Sequence, residues 1–325
     1  MVRVERLLAD CLDDARTQPL GTVPVAVRGA GYAAARRTFL AAGLDALRAH
    51  TPDAGWVQLG LACAPAGPGP LPYGQLAATA RELLDSGQAR EFFFMHKPPG
   101  LRVRFLAARP SRAGELRETL LRRLGSGQAE GTWGPPVAGV YEPETYLFGG
   151  PPAMPWVHAL FTADSRAWLD VHTLAAGAPP PPSWRVSLAL LHAVFDALDI
   201  VGWEHRGVWQ AVREEAGRRL PGGLGAPDLR RAAAGIRDWW ELSPGARLEA
   251  LPQNWRNVVG EHVQAVGRAA EQWRTRYFAS GEATIGARRA AAHYAVFHWN
   301  RAALSTARQC LLTEALAADG REGVR

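Results

Sequence analysis

The stretch EFFFMHKPPGLRVRF, residues 91–105, contains two runs of aromatic and branched residues on either side of a Pro-Pro-Gly sequence. Two such runs joined by a tight turn predict an antiparallel β-hairpin. In the second run, the period of two places Arg102 and Arg104 on one face of the strand and the apolar side chains on the other. This arginine face is either the solvated side of an edge strand or the partner of nearby carboxylates.

Further regular structure is predicted on both sides of the hairpin. Residues 55–63, GWVQLGLAC, form a strand-like run, and residues 1–50 contain two amphipathic helices. Amphipathic helices also flank the hairpin and continue to residue 177. The four consecutive prolines at 179–182 cannot continue a helix, so we place the main division of the chain there.

Beyond the prolines the sequence predicts helices almost throughout, at residues 184–200, 204–219, 227–240, 255–279 and 285–317. The predicted fold class is therefore α+β, with a small antiparallel sheet and flanking helices in the N-terminal half and a predominantly α-helical C-terminal half. We expect three parts: an N-terminal helical extension at 1–54, a mixed half at 55–180 and a helical half at 181–325.

Composition indicates a globular chain. It has 325 residues, of which 47% are hydrophobic and 21% charged, and a net charge of +6. Arginine supplies nearly all of the positive charge, which a GC-rich coding bias explains as well as function does. Taken as functional, the charge favours an acidic partner, such as an acidic peptide or a nucleic acid. From the sequence as a whole we predict no nucleic-acid partner.

The three cysteines, Cys11, Cys63 and Cys310, are widely spaced and form no CxxC pair, so neither a disulfide framework nor a zinc cluster is expected. The N-terminal run carries acids that a secretory signal lacks, and no apolar stretch is long enough to span a bilayer. These features predict a cytoplasmic protein with no membrane partner.

Common catalytic and cofactor motifs are missing from the sequence. It contains no phosphate-binding loop, complete dinucleotide fingerprint, GxSxG elbow or HExxH motif. His293 and His298 are five residues apart, which is about 140° of rotation on a helix and does not form a metal-ligand face. We therefore predict no metal and no cofactor.

The last predicted helix contains an unusual set of polar groups. Helical spacing places His293 and Asn300 on one stripe, and Tyr294, His298 and Arg301 on the neighbouring stripe. Imidazole and phenol groups transfer protons near neutral pH when their surroundings adjust their pKa. The alternative is a packed helix whose polar tips meet solvent or a carboxylate.

The stretch GVYEPETYLFGG, residues 139–150, carries two carboxylates that lie two residues apart. Glu142 and Glu144 point the same way in an extended segment, so they form either a general acid/base pair or ion pairs with Arg102 and Arg104. We favour the second interpretation, in which Glu144 anchors the arginine strand.

The ordered motifs GWVQLGL, FFFMHKPPGLRVRF, YEPETYLFGGPPAM, HALFTADSRAWL and FHWNR together resemble the thiopeptide-type bacteriocin biosynthesis family. The resemblance covers roughly residues 55–310. It implies the fold of the C-terminal elimination domain of lantibiotic dehydratases. Its stand-alone members eliminate glutamate from glutamylated Ser or Thr, or form the pyridine ring of thiopeptides from two dehydroalanines.

Two positions distinguish these chemistries. In the family that the chain resembles, eliminating members carry an arginine and a histidine where this chain has Leu147 and Val296. His96 stands where those members usually have a further arginine. The resemblance therefore implies a pyridine synthase that acts on a ribosomally made precursor peptide and works beside other enzymes of its pathway. A split elimination enzyme and a non-catalytic scaffold that binds the leader peptide are the alternatives.

We expect the following roles from helix geometry and the resemblance. Proton transfer is assigned to His293, Tyr294 and His298. Substrate contacts are assigned to the arginine strand that binds the leader, to aromatic rings that stack on thiazoles, and to the H-x-N-R end of the last helix: Arg102, Arg104, Glu144, Trp273, Tyr277, Trp299, Asn300 and Arg301.

Overall fold

The protein is described by a computed structural model that covers residues 30–49, 55–62, 73–129, 134–176 and 181–318. Within these ranges the chain forms a small antiparallel sheet surrounded by helices, and the C-terminal half is helical, so the predicted α+β class is confirmed. The strands are β1 Trp56–Ala62, β2 Ala89–Lys97, β3 Gly100–Ala107 and β4 Val137–Gly139.

Helices precede, separate and follow the strands. They are α1 Ala30–Ala49, α2 Tyr73–Asp85, α3 Ala113–Ala129, α4 Thr145–Phe148, α5 Met154–Ala175, α6 Ser183–Ala197, α7 Glu204–Glu214, α8 Pro227–Trp240, α9 Pro244–Glu249, α10 Gln253–Arg276, α11 Ala287–Arg301 and α12 Thr306–Ala317. Helix α1 confirms the second helix predicted before residue 50, whereas the first lies outside the described residues. No helix in the described ranges is both long and apolar enough to cross a bilayer.

The predicted hairpin is formed by β2 and β3, with Lys97 opposite Gly100 and the two prolines in the turn. The strand order is β2-β3-β1-β4, so β3 is an interior strand. The edge-strand interpretation of the arginine face is therefore wrong. Alternation along β3 reveals which residues lie on each face of the strand. It does not reveal that β1, far away in sequence, pairs with the edge of β3 opposite to β2.

The open edge of β2 is covered by helix α5. The backbone N–H groups of Phe92 and Phe94 donate to the hydroxyls of Thr162 and Ser165, at 3.1 and 3.3 Å. An uncovered edge would leave these donors free to pair with another chain. Side-chain hydroxyls on one helix thus join the sheet to the helical part of the molecule.

One hydrophobic core extends across both halves of the chain. Helix α10 packs on α5 and α6, and α11 packs on α5, α7 and β2. Helices α2 and α3 pack on the sheet. The catalytic helix predicted from sequence, α11, is thereby placed between the sheet and the helical layer.

The predicted helix at 285–317 is wrong in its length, because the structure divides it into α11 and α12. Ala303 adopts a positive φ of 55°, which ends α11. The Ser305 hydroxyl then accepts the backbone N–H of Arg308 and caps α12. Since neither Gly nor Pro marks the break, the capping serine is its main signal in the sequence.

Candidate functional site

A fully buried ionic cluster joins α5, α6 and α11. We call it the helix-side cluster, and its members are Asp164, Ser187, Tyr294, His298 and Arg301. His298 Nδ1 donates to Asp164 Oδ1 at 2.8 Å, and Arg301 Nε donates to Asp164 Oδ2 at 2.6 Å. The other ring nitrogen of His298 lies 2.9 Å from the Ser187 hydroxyl.

The carboxyl of Asp164 is ionised in this cluster. Burial alone would raise its pKa, but the charges and hydrogen bonds of His298 and Arg301 outweigh burial and hold the pKa at about 2. Because a carboxylate only accepts hydrogen bonds, the proton in the contact with His298 belongs to Nδ1. The cluster thus has the order Asp-His-Ser, but no part of it reaches solvent.

Two polar groups of the helix-side cluster keep unused donors. Among the described residues, neither terminal nitrogen of Arg301 has a hydrogen-bond partner, although its guanidinium lies 4.5 Å from the centre of the Phe161 ring. Tyr294 is close enough to Asp164 and Arg301 to respond to both charges, yet its hydroxyl makes no well-aligned hydrogen bond in the described residues. Burial raises the pKa of Tyr294 well above its usual value.

A second group lies on the arginine face of the sheet. We call it the sheet-side cluster, and its members are Glu91, Arg104, Tyr141 and His158. Arg104 is only 3% exposed, its Nε donates to Gln58 Oε1 at 2.7 Å, and its guanidinium lies 4.8 Å from the centre of the Tyr141 ring. Burial lowers the pKa of Arg104 to about 10, and one terminal nitrogen has no partner among the described residues.

The remaining members of the sheet-side cluster lie in a row. The Tyr141 hydroxyl lies 2.7 Å from His158 Nε2, and His158 Nδ1 lies 3.7 Å from Glu91 Oε2. Burial lowers the pKa of His158 to about 3 and raises the pKa of Glu91 to about 7. The imidazole is therefore neutral at pH 7, while the carboxyl group exchanges its proton near that pH.

Two histidines hold the end of α11. His96 Nδ1 donates to the carbonyl of Asn300, and His172 Nε2 donates to the carbonyl of Arg301, both at 2.9 Å. The free nitrogen of His96 then accepts the Tyr73 hydroxyl at 2.8 Å. The last carbonyls of a helix have no partner within the helix, so these imidazoles fix the end that carries Arg301.

The structure brings together only part of the predicted proton-transfer set. Tyr294 and His298 share the helix-side cluster with Arg301, as the helical spacing predicts, with ring centres 6.0 Å apart. His293 lies elsewhere: its Nε2 is 3.5 Å from Glu215. The side chain of His293 is 11% exposed, whereas the other two are fully enclosed.

The predicted stacking residues Trp273, Tyr277 and Trp299 are core residues, with exposures of 0%, 1% and 0%. Trp299 stacks on Trp209 at 5.9 Å between ring centres. This burial argues against their stacking on substrate rings. The sequence did not reveal it, because helical spacing alone does not distinguish an inward ring from a surface ring. Asn300 contributes its backbone carbonyl to the cap described above.

Tyr277 explains the first of the paired glycines in the 139–150 stretch. Its hydroxyl donates to the carbonyl of Gly149 at 3.0 Å. A Cβ at Gly149 would lie 1.9 Å from that hydroxyl, and Gly149 also has a φ of +96°. Only glycine fits both conditions, so the turn is shaped by the close approach of the tyrosine.

The predicted anchor between Glu144 and the arginine strand exists only as a longer-range interaction. Glu144 acts electrostatically on Arg104, which prefers Gln58 as its direct partner. Glu142 is exposed. The burial of Arg104 argues against its binding a leader peptide at the surface. Arg102, on the same face of the strand, is only half-buried.

Sequence reasoning missed Asp164, Ser187, Glu91, Tyr141 and His158. Asp164 had a detectable signal, because it follows Leu160 and Phe161 and precedes Ala167 and Trp168 at helical spacing. A carboxylate on such an apolar stripe needs a buried cationic partner. The other four residues gave no comparable signal, since their contacts depend on how distant strands and helices pack.

The family of the chain follows from its sequence match and agrees with this fold. The family model described as lantibiotic biosynthesis dehydratase C-term matches residues 56–318. The chain therefore belongs to that family. No curated protein matches the chain.

Several solved structures are similar to it, including the following three. The tRNA-dependent lantibiotic dehydratase MibB from Microbispora sp. 107891 superimposes with a TM-score of 0.57 and 19% identity, over 82% of this chain and 28% of MibB. The chain thus corresponds to about a quarter of that enzyme. The pyridine synthase TbtD from thiomuracin biosynthesis has a TM-score of 0.44 and 19% identity, over 81% of this chain and 96% of TbtD. TsrL has a TM-score of 0.41 and 16% identity, over 81% of this chain and 92% of TsrL.

Proposed function

We propose that the chain is a thiopeptide pyridine synthase. It joins two dehydroalanines of a modified precursor peptide in a formal aza-[4+2] cycloaddition, closes the macrocycle and expels the leader peptide. The observation that carries this proposal is the apolar character of Leu147 and Val296, where the eliminating members that the chain resembles carry an arginine and a histidine. Both side chains pack against the hydrophobic core, so neither position offers a charge or a proton.

The proposed reaction needs positioning and proton transfer. One dehydroalanine supplies the two-carbon partner, and the other, with its amide as the imidic acid, supplies the aza-diene. Loss of water and then of the leader as a carboxamide completes the aromatic ring. Holding the two reacting groups in contact removes on the order of 7–11 kcal/mol of barrier.

The sheet-side cluster offers the proton chemistry that this scheme requires. Glu91, with a pKa of about 7, is suited to give and take protons near neutral pH. Arg104 is only 3% exposed, so its spare N–H reaches the amide oxygen of the tautomerising dehydroalanine only after this side of the sheet opens to the substrate. Tyr294 and His298, which lie deeper, support Arg301 and act on the substrate only if the cluster opens.

One observation favours glutamate elimination as a second candidate. Arg104 and Arg301 are two buried guanidiniums with N–H groups that lack partners among the described residues. Guanidinium groups of this kind bind a carboxylate well, and a departing glutamate carries two.

Two substrates separate the candidates. Purified protein is incubated with a leader-bearing peptide that contains azoles and two dehydroalanines, and separately with a glutamylated peptide, and the masses are recorded. A pyridine synthase releases the leader from the first peptide and produces a pyridine-type ultraviolet absorbance. Release of glutamate from the second peptide, with the first unchanged, would refute the proposal.

A variant pair separates an enzyme from a scaffold. Arg104→Lys removes the planar fork from the buried site, whereas Arg102→Lys changes a half-buried arginine on the same face and serves as the matched control. We expect Arg104→Lys to lower turnover at least about tenfold with little change in peptide binding. A scaffold would instead show no conversion by the wild type, and any variant effect would appear in binding alone.

A further inference from the structure

Three potential metal ligands from two helices converge in the helical half. His192 and Asp196 lie one turn apart on α6, and His205 lies in the first turn of α7. One ligand atom from each side chain lies within 4.8 Å of the other two. Two imidazoles and one carboxylate form a donor set that suits Zn²⁺ and related divalent ions.

Neighbouring contacts orient these side chains. His205 Nε2 donates to the carbonyl of Ile200 at 2.8 Å, which leaves the lone pair on Nδ1. A hydrogen bond from the far ring nitrogen to a carbonyl is the usual support of a metal-binding imidazole. On α6, His192 Nδ1 lies 3.0 Å from Asp196 Oδ2, so these two side chains are already held together.

Trp240 competes for the same lone pair. Its indole N–H lies 3.2 Å from His205 Nδ1, at the long end of the hydrogen-bond range. A bound ion would take the lone pair, and the indole N–H would then donate to a water or an anion in the coordination shell. The Trp240 ring also forms an apolar wall 4.8 Å from the centre of the His192 ring.

The site has room for a further ligand. An open cavity of about 540 Å³ borders it and includes His192, His205 and Trp240 in its lining. Arg206, Arg237 and Glu241 also line this cavity, so two cations against one carboxylate leave room for an anionic group beside the ion. Three protein ligands with an open fourth position form the arrangement of a zinc site that is accessible to solvent.

We propose that His192, Asp196 and His205 bind one Zn²⁺-type divalent ion that links α6 to α7 and keeps one coordination position facing the cavity. This site is separate from the helix-side and sheet-side clusters and does not depend on the proposed function. The sequence prediction of no metal rested on spacing along a single helix, whereas these ligands come from two helices.

The test uses the tag-free full chain after treatment with a chelator. Titration with Zn²⁺ in a calorimeter is expected to show one saturable site, and Co²⁺ is expected to give the visible absorbance of a four-coordinate ion. Asp196→Asn and His205→Gln are each expected to weaken Zn²⁺ binding by at least about tenfold. His262→Gln is the matched control, because His262 pairs with Asp170 at 3.1 Å as His192 does with Asp196 but forms no three-ligand group among the described residues.

Absence of saturable Zn²⁺ binding by the wild-type chain would overturn the proposal, as would equal binding by all variants or equal weakening in the control. Circular dichroism establishes that each variant is folded. Asp196→Asn keeps the test decisive if His205→Gln fails to fold, because the Asp196 side chain is 48% exposed and its amide replacement has the same shape.

Discussion

In the helix-side cluster a carboxylate is bound by one guanidinium and one imidazole, whereas in the sheet-side cluster a carboxyl group faces an imidazole across 3.7 Å. Both carboxyl groups are largely buried, yet the pKa of Asp164 is about 2 and that of Glu91 about 7. The difference follows from pairing: hydrogen-bonded cations outweigh burial at Asp164, and burial dominates at Glu91.

This contrast separates two roles. A carboxylate with a very low pKa keeps its charge at every physiological pH, so Asp164 fixes the position of Arg301 and of the end of α11. A carboxyl group that titrates near neutrality changes its charge during a reaction. The sheet-side cluster is therefore the better candidate for proton transfer, and the helix-side cluster the better candidate for positioning.

The largest expected effect is in the helix-side cluster. Asp164→Asn keeps the shape of the side chain but leaves the charge of Arg301 buried without its counter-charge. We expect a loss of about 3–5 kcal/mol in the free energy of unfolding, measured by urea denaturation at pH 7.

Asp170→Asn is the control for this variant, because Asp170 also binds an arginine and a histidine but is 33% exposed. It is expected to cost no more than about 1 kcal/mol. Equal losses in the two variants would mean that Asp164 has no special anchoring role and that the contrast between the two clusters is mistaken.

The second effect is a pH dependence in the sheet-side cluster. The pKa of Glu91 is raised to about 7 in the folded protein from 4.5, so the folded state holds this proton more tightly than the unfolded state does. Its contribution to stability is complete below about pH 4.5 and is lost as the pH rises through 7. At about 1.4 kcal/mol per pKa unit, the loss comes to about 3.5 kcal/mol.

Glu91→Gln removes this titration. The wild type is expected to lose stability between pH 5 and pH 8 through Glu91, and the variant is not. The difference in the free energy of unfolding, variant minus wild type, should therefore increase from pH 5 to pH 8, as measured by urea denaturation at both values. A difference between variant and wild type that stays constant over that range would show that Glu91 titrates normally. In the proposed reaction, the same variant is also expected to lose the limb of the pH-rate profile that titrates near pH 7.

How much of this was predictable from the sequence depends on the kind of signal. The β2-β3 hairpin, the faces of its arginines and the shared stripe of Tyr294, His298 and Arg301 all follow from local periodicity, and the structure confirms them. Local patterns failed where the answer depended on a distant partner. The interior position of β3 is set by β1, and the inward direction of Trp299 is set by contact with Trp209 on α7.

The site shows the same division. Arg104 was found because it alternates along a strand, but its partners Gln58 and Tyr141 come from other parts of the chain. The pKa of Glu91 was not predictable, because it results from burial by neighbours that no local pattern identifies. A polar residue on an apolar stripe, as at Asp164, is the signal most worth adding to such predictions.

The smallest expected effect is at the capped end of α11, next to the helix-side cluster. His172→Phe keeps a ring beside Tyr73, which now stacks on His172 at 4.3 Å between ring centres. It removes the N–H that binds the carbonyl of Arg301. An unpartnered buried carbonyl costs about 1–3 kcal/mol, so we expect a loss in that range by urea denaturation.

The cap also predicts a local effect that general destabilisation would not produce. Hydrogen exchange measured by mass spectrometry should become faster in the last turn of α11 than in α10, because only the former loses an anchor. Tyr73→Phe is the control: it removes the hydroxyl contact to His96 but leaves both capping N–H groups in place. If exchange in α10 and α11 rises equally in His172→Phe, the imidazoles do not hold α11, and the positioning of Arg301 depends on Asp164 alone.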